Sequence, residues 1–241
     1  MSYVLISLHR ESDAASTLAH TLANALQLLM VPQFYWAGEH PDHSEIHDAV
    51  CYPIEGRPLA GVIFGHGGHR TNTLRSQQNA TPVWATPKQF GEMFTQSRVY
   101  VFACETTPDP QKEPREQRYD TFGEGALEAG VSVYVGHYQS IQPPESPSHW
   151  TQQQQDLLRC TTTAAIRQFL NGEECGNALR KAIYDAIDQM ENMLQPFTVS
   201  DELLPNQLDG AIDWGWQILC RNIAKSLRVG RCTRNGDIQW S

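Results

Sequence analysis

Gly61-Val62-Ile63-Phe64-Gly65-His66-Gly67-Gly68-His69 and Val99-Tyr100-Val101-Phe102-Ala103-Cys104-Glu105-Thr106 decide the reading of this chain. Each is a short apolar run bounded by small or polar residues, the pattern of a strand buried on both faces. Each run ends on a reactive side chain, His66 in the first and Cys104 in the second. The interval between them leaves room for a return helix and one strand, as a right-handed crossover to a neighbouring parallel strand requires. Open α/β sheets gather ligands at the carboxyl ends of their strands, so an imidazole and a thiol would meet there.

Strand and helix patterns alternate on either side of this pair. Ser2 to Leu8 reads as a first strand. Leu18, Leu22, Ala25 and Leu29 keep helical spacing after it. Gln33 to Ala37 is an aromatic strand candidate closed by Gly38, and Glu39 to Arg57 reads as a loop or short helix. Thr86-Pro87-Lys88-Gln89 carries a capping Thr with Pro at the first helical position and opens a helix through Phe90 and Phe94.

Thr106 to Asp120, with three prolines and a charged run, reads as a mobile loop. Phe122 to Ala129 predicts a helix capped by Gly130, and Val131 to Gly136 another buried strand. A proline-rich loop, Gln142 to Pro147, precedes helical material from Trp150 to Leu170, broken at Asn171-Gly172. Leu179, Ile183, Ala186, Ile187, Met190 and Leu194 share the face of the next helix. Ile212, Trp216, Leu219, Ile223 and Leu227 share that of the last one, and Arg234-Asn235-Gly236-Asp237 predicts a type I′ hairpin turn. The expected fold is a single α/β domain over residues 1–241, with a mostly parallel central sheet, helices on both faces, and a C-terminal helix and hairpin extension from about residue 200.

Bulk properties narrow the function. The 241 residues suffice for a sizeable core, and 40% hydrophobic with 19% charged residues is ordinary for a globular protein. A formal net charge of −9 argues against nucleic acid as a partner, because phosphates would be repelled. No run approaches the about 20 apolar residues of a membrane-spanning helix, so no membrane partner is expected. The apolar N-terminus has no basic region before it, so no signal peptide is expected. The six cysteines form no CxxC pair, and free thiols in a cytoplasmic protein are the expectation. His66 and His69 have no further pair at ligand spacing, and no aspartate cluster makes a calcium loop, so neither metal nor cofactor is expected.

Four ordered segments carry a family resemblance. His66-Gly67 follows one strand and Ala103-Cys104 the next. Phe122 to Val133 forms a helix-Gly-strand unit, and Phe169-Leu170-Asn171-Gly172 through Ala178 to Ala182 a helix-turn-helix. Together these cover residues 60–190, and they resemble the CHAT peptidases of the caspase-like clan. The resemblance implies a three-layer caspase-like sandwich and a cysteine endopeptidase with a Cys104–His66 dyad. Cys104 would attack as thiolate, favoured by a nearby imidazolium or similar field, while His66 donates a proton to the leaving amine. The N–H groups of Gly67 and Cys104 would form the oxyanion hole.

His69, Phe102, Glu105, Asp120 and Tyr138 are the substrate-pocket candidates. Phe102 replaces the acidic residue that metacaspases carry two positions before the cysteine, so basic-residue specificity does not transfer. Arg115 and Arg118 sit in the loop that corresponds to the segment cut during caspase maturation, which makes self-processing an expectation. The implied partners are a protein substrate in a bacterial regulated-proteolysis or defence pathway, such as a gasdermin-like effector, and an activating regulator. Two alternatives stay open: a catalytically inactive caspase-fold scaffold, and a hydrolase or acyltransferase acting on a small thioester or amide.

Overall fold

The computed structural model describes residues 3–8, 14–52, 60–67, 72–76, 83–112, 121–141, 150–194 and 214–241. Its chain order is β1 (Tyr3–Ser7), α1 (Ala14–Leu29), β2 (Phe34–Ala37), α2 (His43–Cys51), β3 (Ala60–Phe64), α3 (Pro87–Met93) and β4 (Arg98–Phe102). Then come α4 (Phe122–Glu128), β5 (Val133–His137), α5 (Gln152–Leu170), α6 (Gly176–Leu194), α7 (Trp214–Ser226), β6 (Leu227–Cys232) and β7 (Ile238–Trp240).

One seven-stranded sheet has the order β2-β1-β3-β4-β5-β6-β7. The first five strands in this order run parallel, and β6 and β7 continue the sheet antiparallel. The chain moves outward from β1 to β2, then crosses back to β3 and proceeds the other way. With right-handed crossovers this reversal distributes the helices over both faces. On one face α1, α5, α6 and α7 pack against Tyr3, Leu5, Val62, Phe64, Tyr100 and Phe102. On the other, α2, α3 and α4 pack against Val4, Ile6, Ile63, Val99, Val101 and Tyr134. Successive strand residues alternate between these two cores, which is why β1, β3 and β5 are buried throughout and are mostly apolar.

Local signals explain the element boundaries. Thr86 caps α3 with Pro87 in the first turn, and Gln89 closes the reciprocal bond of a capping box. Thr121 with Glu124 and Thr151 with Gln154 do the same for α4 and α5. Gly130 takes φ +114° just beyond α4, as expected of a glycine stop.

Three expectations change at the C-terminal half. Leu227 belongs to β6 rather than to the last helix, and it pairs with His137. The β6–β7 connection is not type I′. Gly236 takes a positive φ (+88°) but Asn235 does not. The Gly236 N–H donates to the Thr233 carbonyl (3.0 Å) and the Thr233 N–H to that of Asp237 (2.8 Å). This is a type I turn followed by a left-handed glycine, one residue longer than the expected loop. The hairpin also extends the main sheet through the β5–β6 pairing. Ile212 and the Gln142–Pro147 loop lie outside the described residues. No helix among the described residues is long and apolar enough to cross a membrane.

Candidate active site at the tips of β3 and β4

The register of β3 and β4 fixes where His66 and Cys104 stand. Phe64 is paired with Phe102, and the Gly65 N–H continues the ladder by donating to the Phe102 carbonyl (3.2 Å). Two residues further along each segment, just past the ends of the paired strands, come His66 and Cys104. The two segments touch. A Cβ added to Gly67 would stand 2.3 Å from the Cys104 carbonyl oxygen and 2.7 Å from Thr106 Cγ2. Glycine at this position is therefore a packing requirement, and any side chain would push the two tips apart.

His66 is 6% exposed. Its backbone is clamped by an antiparallel bridge to Arg75: the His66 N–H donates to the Arg75 carbonyl (2.8 Å), and the Arg75 N–H donates in return (3.0 Å). A second bridge, Leu74 to Ala85, ties that segment to the start of α3. The imidazole thus sits on a backbone held from both sides.

Cys104 is half-buried against the α5–α7 core. The Ile141 N–H donates to its Sγ (3.3 Å), and Ser140 Oγ lies 3.9 Å away. Burial pushes the thiol pKa up, and the Glu105 carboxylate adds to this. The Ile141 N–H, the Ser140 hydroxyl and the N–H of Cys104 itself act the other way without cancelling it. A resting thiolate, expected from the sequence, is therefore not what this environment favours, because removing water from around sulfur costs the charged form more than these three donors return. Among the described residues, the backbone N–H groups of Gly67 and Cys104 donate to no backbone carbonyl.

The turn after Cys104 is locally strained and firmly held. Glu105 adopts φ +52°, a left-handed conformation uncommon for a residue with a side chain. The chain is pinned there by donation from Glu105 N to the Gln139 carbonyl (3.4 Å), and from Thr106 N (2.8 Å) and Thr107 N (3.3 Å) to that of His137. The Thr106 carbonyl in turn accepts from Gly123 N at the start of α4 (2.8 Å). His137 is fully buried at the end of β5, with Nδ1 3.0 Å from Ser226 Oγ, and burial lowers its pKa to about 3. It is a neutral structural imidazole.

The other candidates fall in different places. Phe102 is 3% exposed, with its ring between those of Phe64 (5.8 Å) and His137 (5.4 Å) in the core. Glu105 occupies the strained turn beside the thiol, and half-buried Tyr138 lines a separate cavity with residues of α6 and α7. His69, Arg115, Arg118 and Asp120 lie outside the described residues. Ser140, Ile141 and His137 were not anticipated as site residues. Pairing β5 with β4 and extending both strands by a few residues would have found them. All six cysteines are free. Among the described residues no group of three or more His, Cys, Asp or Glu side chains is arranged to hold a metal ion.

No protein-family model matches the chain, and no curated protein matches it.

Proposed function

We propose that this chain is a cysteine endopeptidase in which His66 and Cys104 act as a dyad. The observation that carries the proposal is the contact between the two strand tips, with Gly67 packed on the Cys104 carbonyl just beyond the Phe64–Phe102 pair. A His-Gly pair and an Ala-Cys pair on neighbouring parallel strands also support the resemblance to CHAT peptidases, and with it a caspase-like sandwich. On that resemblance the substrate is a protein partner, such as a gasdermin-like effector, and a regulator controls access.

Because Cys104 rests as a thiol, His66 acts first as a base. It accepts the thiol proton as sulfur attacks the carbonyl carbon of the scissile amide. The developing oxyanion faces the N–H groups of Gly67 and Cys104. The carbon–nitrogen bond then breaks, the amine leaves with the proton from His66, and a thioester remains on Cys104. Water attacks the thioester, passing a proton to His66, and sulfur departs and recovers it. Loss of one oxyanion donor typically costs about 10²–10³ in rate, so the glycine contact bears directly on turnover.

A second reading, an inactive scaffold of the same fold, is favoured by one observation: burial raises the thiol pKa. Peptide-resolved labelling with iodoacetamide separates the two. As a dyad, Cys104 labels at neutral pH about tenfold or more faster in wild type than in His66→Ala, because the base that removes its proton is gone. Equal rates in both proteins support the scaffold.

A further inference from the structure

The chain is acidic overall, yet one concavity of about 670 Å³ is lined, among the described residues, by three cations and no carboxylate. The cations are Arg180 and Lys181 on α6 and Lys225 at the end of α7, with Tyr138 and Tyr184 as aromatic walls. Arg180 is fixed in place: Nη1 donates to the Leu227 carbonyl (2.7 Å) and Nη2 to Asn177 Oδ1 (2.6 Å). Arg228, on the adjacent strand β6, adds to the positive field and feels the Arg180 charge as repulsion. Three carboxylates act on these cations: Asp185, one turn along the same face of α6, pairs with Lys181 (2.6 Å), Asp109 acts on Arg228 and pairs with Lys112 (3.9 Å), and Glu124 acts on Arg228. Lys225 is exposed and, among the described residues, makes no ion pair.

We infer that this cavity binds the carboxylates of an acidic polypeptide segment. Its cations are dispersed over two helices and arranged around open space between tyrosines. That suits several separated carboxylates better than the single focus a phosphate group needs. Its position gives the segment a direction. Tyr138 on the cavity wall is followed by Gln139, Ser140 and Ile141, and the last two meet Cys104 Sγ. At about 3.3 Å per extended residue, a chain anchored in the cavity reaches the thiol within about three or four residues. That the bound segment belongs to the cleaved protein rests on the peptidase proposal; the binding itself does not.

Fluorescence anisotropy with a labelled oligoglutamate peptide tests the site, with oligoglutamine as the neutral control. Lys181 and Lys225 are exposed, so the double variant Lys181→Gln/Lys225→Gln is expected to fold, which circular dichroism checks. Oligoglutamate binds wild type and Cys104→Ala equally, binds the double variant about tenfold more weakly, and loses affinity as salt rises. Oligoglutamine binding as tightly as oligoglutamate, or unchanged affinity in the folded double variant, overturns the inference. So does inorganic tripolyphosphate occupying these cations while oligoglutamate fails to displace it. If iodoacetamide labelling proves independent of His66 while oligoglutamate still binds, the peptidase proposal falls and this site stands. If labelling depends on His66 and oligoglutamate does not bind, the reverse holds.

Discussion

Cys104 and His137 show how burial sets protonation on either side of one turn. Removal from water disfavours the charged form of each group, so the thiol pKa rises and the imidazole pKa falls. For His137 the consequence is a pH-dependent stability. Its folded pKa of about 3 lies below the ordinary value of 6.5, so between these values the unfolded chain binds the extra proton. The stabilising effect is complete above pH about 6.5 and is lost as pH falls towards 3, reaching about 2 kcal/mol by pH 5. Urea unfolding at pH 7.5 and pH 5 checks this: wild type loses about 2 kcal/mol more than His137→Asn across that interval. Equal losses would mean that the His137 ring is solvated. The sequence marked His66 and Cys104 because each ends an apolar run. It could not mark Ile141, whose N–H meets the sulfur, because a backbone donor leaves no trace in residue type.

The elements were legible where local chemistry and burial agree. Thr86-Pro87 announced α3, and the apolar runs of β3 and β4 announced central strands, because both cap and core signals are written in side chains. β6 was not legible. Leu227 falls at helical spacing from Ile223, and Ser226 leads from α7 directly into the strand without Gly or Pro, so the helix pattern ran on by one residue. The hairpin type was misjudged because Asn-Gly suits more than one turn, and the register against β5 decides between them. At this scale α4 matters most to the site, since Gly123 in its first turn holds the Thr106 carbonyl. Its cap is Thr121, which exchanges bonds with Glu124 (2.7 Å and 2.8 Å from Thr121 to the carboxylate). Thr121→Ala is expected to cost about 1 kcal/mol in urea unfolding and to slow Cys104 labelling. As a control, Asp42→Ala, which removes the cap of α2, costs a similar amount and leaves labelling unchanged. Identical labelling in both variants would show that α4 does not position the turn.

For the whole molecule, one sheet brings five separate stretches of chain to a single end. The tips of β3 and β4 supply the imidazole and the thiol, the segment after β5 supplies donors to the sulfur, and α6 and α7 supply a basic cavity beside it. The parallel order could be anticipated from alternating strand and helix patterns. The cavity could not, because Arg180, Lys181 and Lys225 are ordinary surface cations until α6 and α7 are packed side by side. The most direct measurement is the identification of new N termini by mass spectrometry after incubating a proteome-derived peptide library with the full chain. The expected result is a defined set of termini with wild type that is absent with both Cys104→Ala and His66→Ala. The same termini with all three proteins, or none with any, would contradict the assignment of proteolysis to these two strand tips.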